Sequence, residues 1–435
     1  MTNPYDIIIV GGGVSGTATL FVLAHYSSVQ RIALIERYDL AQVNSHKDNN
    51  SQTLHFGDIE TNYTAEKSKL VNSKTQLTKK YLDKHKSEEL FNLTSKMVIG
   101  VGSLEVKMLE ERFEEIKHIF PKLKKIKRHE IEKIEPNVVK GRDPKEEIIA
   151  LYSPDGYNVD FGKLAKSFVK NAKDTKKEIE IRTNEKVWKI EKEKELYRII
   201  TSKGELLAKS VVVAGGADSL LFAHRLNYAK NWILLPVAGS FYQSQHFLNG
   251  KVYTIQAKKL PFAAVHGDPD VTNPKETRFG PTAKVLPMTE RYRYGSVIDF
   301  LRLFRFRYDA TMSLFNIIRD PVLFKYVLQN FLYDLPVIGT YFFMKWNVRK
   351  IIPSIKYSQI RYGRGLGGIR PQLVDTNKKS LEFGDAKIIG ENIIFDITPS
   401  PGASVALHNG LENAKKVVEF LGEKFDEEKF KEEYE

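Results

Sequence analysis

From Ile7 to Val10 the chain is apolar without interruption, and with Tyr5 at its start the run predicts a strand, Tyr5–Val10. A strand with no polar alternation is buried on both faces, as in a parallel sheet. The chain then passes through GGGVSG into TATLFVLAHY, whose apolar residues recur at helical spacing, and on to a second apolar run, Arg31 to Ile35. Strand, glycine turn, helix and strand in that order predict a nucleotide-binding βαβ unit. Two further apolar runs stand much later beside small residues. One is KSVVVAGGADS, Lys209 to Ser219; the other is ENIIFDITPSPGAS, where a strand is expected to end at Asp396 and a helix to begin near Gly402. Between these runs lie lysine-rich helices, expected from Thr64 to about Lys127, and a long section from Asn231 to Lys350.

Gly11, Gly13 and Gly16 fit GxGxxG directly after the first strand. In that frame the glycines serve a tight turn, a close approach of backbone to a pyrophosphate, and tight helix–strand packing, with the phosphates at the helix N-terminus. Glu36 ends the second strand 20 residues after Gly16, where a carboxylate accepts hydrogen bonds from a ribose 2′-OH. An acid there disfavours a 2′-phosphate, so NADP is the least favoured dinucleotide. The later segments favour FAD over NAD, because an extended FAD site draws on distant parts of a chain. Ala214, Gly215 and Gly216 would let backbone approach the cofactor, and a helix entered through Pro401, Gly402, Ala403 and Ser404 would offer N–H groups and a positive dipole end to a reduced flavin.

The absence of cysteine excludes disulfides, thiolate metal centres, iron–sulfur clusters and cysteine nucleophiles, so redox chemistry here needs an organic cofactor; no metal site is expected. The 435 residues, 42% of them hydrophobic, suffice for two or three folded domains. Lys plus Arg is 67 against 54 Asp plus Glu, and the resulting +13 attracts polyanions, anionic lipid or acidic small molecules without choosing among them. The opening MTNPYDIIIV lacks a basic n-region and a small-residue cleavage site, so a cytoplasmic location is expected.

Several motifs together resemble the FAD-dependent malate:quinone oxidoreductases, relatives of the L-2-hydroxyglutarate oxidases and more distantly of the D-amino-acid oxidase group. They are GGGVSG with Glu36, NSQTLHFGDIETNYT, KMVIGVG from Lys96 to Gly102, LPFAAVHGDPDV from Leu260 to Val271, RFGPTAKVLPM from Arg278, GGIRPQLVD from Gly367, and TPSPGAS from Thr398. The resemblance implies a mixed α/β fold, in which a Rossmann-type FAD-binding domain is built from discontinuous pieces (1–75, 150–225 and 350–435) and a mixed-sheet substrate domain is inserted (76–149 and 226–349). It also implies cofactor contacts at Arg37, Gln52, Thr53, Val187, Gly368 and Arg370, beside those already named.

The implied reaction oxidises (S)-malate to oxaloacetate and passes electrons to a membrane quinone. A base must take the hydroxyl proton as hydride leaves carbon, and histidine suits that role. His55 and His266 stand in matching motifs; each is either that base or a hydrogen-bonded fastener of its loop. Arginine holds carboxylates through its planar fork, which singles out Arg278 and Arg370, with Arg364 third. Asp268 and Asp270 orient His266 or, as preferred, form an Asp-Pro turn. The section Gly295 to Lys350 is dense in Phe, Leu, Tyr and Ile but is interrupted by basic residues, and no uncharged stretch reaches the roughly 18 residues of a spanning helix. It reads either as amphipathic core helices or as a peripheral contact with the cytoplasmic face of the inner membrane. The rival enzyme is an oxidase or dehydrogenase of 2-hydroxyglutarate or an amino acid. The rival non-enzyme is a basic, dinucleotide-sensing binding protein, although no RRM, KH or helix-turn-helix signature supports nucleic acid as a partner.

Overall fold

The computed structural model describes residues 3–256, 264–304, 308–382, 386–398 and 401–435. Leu260 to Ala263 of the LPFAAVHGDPDV motif, Pro399 and Ser400 of TPSPGAS, and Arg305 to Arg307 of the aromatic section lie outside the described residues.

The opening run is a central strand. Tyr5–Val10 pairs in parallel with Arg31–Ile35 on one side and with Gly204–Val213 on the other, with Ile9 opposite Leu34 and Val212. Glu178–Arg182 and Ile393–Ile397 extend this sheet in parallel at its two ends, and Ala386–Gly390 adds an antiparallel edge. Ile7 and Ile9 join one core and Ile8 and Val10 another, so both faces are covered and alternation has no reason to appear in the sequence. One cover is helical: Val14–Tyr26 packs against Phe161–Lys173 and Ala406–Leu421. The contact with Ala406–Leu421 is close enough that a Cβ on Gly410 would lie 2.8 Å from the Ala18 carbonyl carbon. The other cover includes the antiparallel meander Val187–Glu193, Leu196–Thr201 and Gly204–Val213.

A second, eight-stranded sheet runs in the order Ile360–Tyr362, Tyr242–Gln245, Glu276–Gly280, His266–Pro269, Lys251–Thr254, Phe91–Val101, Ile148–Val159, Lys124–Lys127. A third sheet of four strands contains Trp232–Ala238 and Ile369–Asp375 in antiparallel register. The expected pieces therefore shift. Residues 150–159 and 360–382 pair in the second and third sheets, and the first sheet is resumed only at Ala386. The helix Ala65–Lys84 crosses the expected boundary at residue 75 and sends Leu77, Tyr81 and Leu82 into the core beneath Val14–Tyr26. The lysine-rich section is also not wholly helical: Phe91–Val101 is a strand, because Met97 to Gly100 are buried between neighbours while its first half is wet.

The aromatic section forms short helices, among them Ser296–Phe304, Tyr308–Ile318, Pro321–Tyr333 and Ile338–Phe343. Among the described residues no helix is long and apolar enough to cross a membrane.

Candidate active site

The first and third sheets and the loops between them enclose a cleft of about 380 Å³, the size of a site for an organic ligand and far larger than a site for a water molecule or ion. Gly11 lies at its floor with φ +117°, and a Cβ there would stand 2.4 Å from the Ala214 oxygen, so only glycine permits the two strand ends to approach. Gly13 caps Val14–Tyr26 without a side chain, and the first turn of that helix carries no acid, leaving its positive end toward the cleft. Gly16 does not line the cleft. It packs the helix onto the turn, since a Cβ would reach within 2.0 Å of the Gly11 oxygen. Glu36 lines the cleft and is held by the backbone N–H of Gly12 at 2.6 Å and of Tyr38 at 3.0 Å. Burial raises its pKa, and the two N–H donors oppose that rise. Arg37 also faces the cleft, but Asp218 at 2.6 Å and Glu290 neutralise it and hold it ionised against burial. Val187, Ala214, Gly215, Gly216, Gly368, Pro401, Gly402, Ala403 and Ser404 complete the predicted residues on this wall.

The helix expected from Gly402 begins instead at Ala406. Residues 401–405 stay in turns, and the Ser404 hydroxyl accepts from the His55 backbone N–H at 2.9 Å and donates to the Thr53 carbonyl at 3.3 Å. That contact pins the loop of His55 to the cofactor wall, as does Gly368, where a Cβ would lie 2.6 Å from the Asn49 oxygen.

His55 lines the cleft, and its Nδ1 lies 2.6 Å from Glu60 Oε1, while Nε2 lies 3.4 Å from the Ser51 hydroxyl. Burial pushes the Glu60 pKa up, but the hydrogen bond and electrostatic attraction of His55, with Lys96 behind, bring it below the ordinary carboxylate value. A carboxylate on Nδ1 fixes the ring orientation and leaves Nε2 as the proton-accepting atom. Glu60 was not singled out in the sequence: a separation of five residues along an irregular loop follows neither the helical nor the strand period. His266 lies on the same cleft, stacked on Tyr253 at 4.4 Å, with Nε2 3.0 Å from Asp268 Oδ2. The Asp268 pKa is lowered despite its burial, first by His266 and then by Lys251. Asp268 therefore faces His266 from within its strand, and the Asp-Pro turn expected at Pro269 does not form, because Asp268 and Pro269 pair with Arg278 and Thr277; Asp270 instead closes a later turn, its Oδ1 accepting from the backbone N–H of Thr272 and Asn273.

Two predicted site residues serve the loop rather than the cleft. Gln52 is buried, donates to the Lys47 carbonyl and Asp270, and accepts from the Val271 N–H at 2.9 Å. Arg278 donates to the Lys47 and Asn50 carbonyls, each at 3.1 Å, and pairs with Asp270. Its two Nη atoms are engaged beneath the loop, and Arg278 does not line the cleft. Arg364 is exposed and outside the cleft. Arg370 does line the cleft, and burial lowers its pKa against the opposing influence of the Tyr63 and Tyr326 phenols. Thr53 faces the cleft as well and exchanges a 2.7 Å hydrogen bond with the Tyr253 hydroxyl.

The site thus joins a dinucleotide cradle to a histidine–carboxylate pair and a partly buried arginine. The family model described as malate:quinone oxidoreductase matches residues 3–433. The chain belongs to the malate:quinone oxidoreductase family. Relatives in this family include the malate:quinone oxidoreductase of Helicobacter pylori, 41% identical over 99% of this chain and 98% of that protein. The probable malate:quinone oxidoreductase of Campylobacter jejuni is 40% identical, with 98% of each chain covered. In fold the chain is similar to the L-α-glycerophosphate oxidase of Mycoplasma pneumoniae, solved with FAD bound, with a TM-score of 0.65 over 98% of this chain and 96% of that one at 18% identity. That likeness is one of architecture, and the family's Rossmann-type fold is the one found here.

Proposed function

We propose that this chain is an FAD-dependent enzyme that oxidises (S)-malate to oxaloacetate and delivers the electrons to a membrane quinone. The observation that carries the reading is the convergence of Gly11, Ala214 and Gly402, far apart in sequence, on one cleft that also holds His55 and Arg370, in a member of this family. The residues fit FAD. Gly11 and Gly13, which line the cleft at the positive end of Val14–Tyr26, would take the pyrophosphate, Glu36 the ribose, and the turn Pro401 to Ser404 with Thr53 the flavin end. FAD bound there supplies a two-electron acceptor for the substrate's C2 hydrogen.

The chain's own residues supply the rest. His55 Nε2 takes the C2 hydroxyl proton while Glu60 stabilises the imidazolium through Nδ1. Arg370 pairs with a substrate carboxylate in a setting where burial makes an anion welcome.

Membrane contact rests on an inverted helix. In Pro321–Tyr333 and the residue two beyond it, Phe324, Leu328, Phe331 and Leu335 recur at i, i+4, i+7 and i+11, yet they are 42 to 55% exposed while Asn330 and Tyr333 face the core. An apolar stripe pointing outward calls for an apolar partner. Residues 291–350 carry ten basic against four acidic side chains, which suits an anionic bilayer on its cytoplasmic face. The enzyme is read as peripheral there, taking quinone from the lipid. The test is reduction of a lipid quinone in vesicles by purified holoenzyme with (S)-malate, lactate and L-2-hydroxyglutarate. Stoichiometric oxaloacetate from malate supports the proposal; turnover confined to another hydroxy acid, or none, overturns it.

A further inference from the structure

The helix Ser296–Phe304 belongs to two surfaces at once. Asp299 and Arg302 line the Glu36 end of the cleft, and Leu303, only 1% exposed, is buried with Leu220 and Phe222 of the first sheet's cover. The electrostatics agree with that placement: Asp218, which pairs with Arg37 beside Glu36, feels the charge of Asp299, and Arg225 feels both Asp299 and Arg302. On its other side the same helix exposes Ile298 by 56% and Leu301 by 38%, one turn apart, with Tyr294 open just before it. The helix belongs to the same basic and aromatic section of the chain as the outward stripe read above as the bilayer contact, and the section's interleaved positive charge selects an anionic bilayer as the occupant.

We propose that Ser296–Phe304 is both the wall of the cleft at the adenosine end of the cofactor and a bilayer-binding surface, so that anionic lipid and FAD strengthen each other's binding. The inference rests on the peripheral-membrane reading. Its physical basis is linkage. A helix that spans only nine residues and carries Asp299 and Arg302 to the cleft is marginal by itself; burying Ile298 and Leu301 in lipid favours its place on the cleft wall, and a partner favouring that arrangement must raise the affinity of every ligand of it. No covalent or redox step is involved.

The experiment uses FAD-loaded enzyme mixed with vesicles of phosphatidylcholine alone or with about one quarter phosphatidylglycerol, with vesicle binding scored by cosedimentation and flavin release scored by fluorescence of the protein-free filtrate after dilution. On anionic vesicles release slows by about fivefold or more, and the FAD-loaded form partitions onto vesicles more strongly than the stripped form by the same factor. The double variant Ile298→Glu with Leu301→Glu, whose visible spectrum reports an intact site, loses that retardation. Equal release from vesicle-bound and free enzyme overturns the inference while leaving the membrane reading standing. Failure of the wild-type enzyme to cosediment overturns both. Self-association in the absence of lipid that the double variant abolishes would assign the helix to a second copy of the chain and overturn the lipid assignment.

Discussion

Glu60→Gln tests the assignment of His55 more sharply than removal of His55 itself, because it keeps the side-chain shape and removes only the charge. Glu60 Oε1 lies 2.6 Å from His55 Nδ1, both side chains are largely buried at 10% and 17% exposure, and Glu60 does not line the cleft. The substitution therefore leaves substrate contacts alone and withdraws the carboxylate that stabilises the imidazolium formed as the hydroxyl proton is taken. A hydrogen bond to a charged partner contributes about 1.5 to 3 kcal/mol, and each 1.4 kcal/mol is about tenfold in rate. The expected loss in kcat is thus about 10- to 150-fold, with KM for malate nearly unchanged. The assay is dye-coupled malate oxidation across pH, with the flavin spectrum checking that the cofactor site is intact. Glu60→Asp, which restores the charge on a shorter arm, is expected to recover part of the rate. A Glu60→Gln enzyme within twofold of wild type, or one whose whole defect is in KM, would show that the pair is a loop fastener and not a base with its orienting acid.

Other expectations follow from the same geometry. Arg370→Lys keeps a charge but loses the planar fork, and should raise the malate KM by about 10- to 100-fold with a smaller effect on kcat, measured by steady-state kinetics. Gly11→Ala forces a side chain at φ +117° and 2.4 Å from the Ala214 oxygen, a strain of about 1 to 3 kcal/mol, and should yield folded protein with little flavin as read from its absorbance ratio. Burial works to raise the Asp270 pKa, yet the Thr272 donors, Arg278 and Gln52 hold it down to about 2. A carboxyl depressed on folding stabilises above its unfolded value near pH 4 and loses that contribution as the pH falls toward 2, so Asp270→Asn should cost about 2 kcal/mol at pH 7 in denaturant unfolding, with the gap closing below about pH 4.

The cofactor half of the site was legible because its signals are local. A strand buried on both faces, glycines at fixed spacing and Glu36 at the end of the next strand all report on neighbours within one βαβ unit. The substrate half was less so. Arg278 carries the right chemistry for a carboxylate, but its partners are the carbonyls of Lys47 and Asn50, more than two hundred positions away. Arg37 was expected as a cofactor contact, but its partners Asp218 and Glu290 lie far along the chain. The strand Phe91–Val101 is half wet and half buried, so neither alternation nor a continuous apolar run marks it among lysine-rich helices. The outward stripe of Phe324, Leu328, Phe331 and Leu335 is visible as a helical period, but which way it faces is decided only by packing.

The central claim is that distant segments hold one FAD whose reactive end shares a cleft with His55 and Arg370. The visible spectrum of the purified protein under anaerobic conditions tests it most directly. A yellow protein whose flavin band is bleached by (S)-malate in preference to lactate or L-2-hydroxyglutarate is the predicted result. A preparation that stays colourless after incubation with FAD, or a flavin band that malate leaves untouched, would contradict the account.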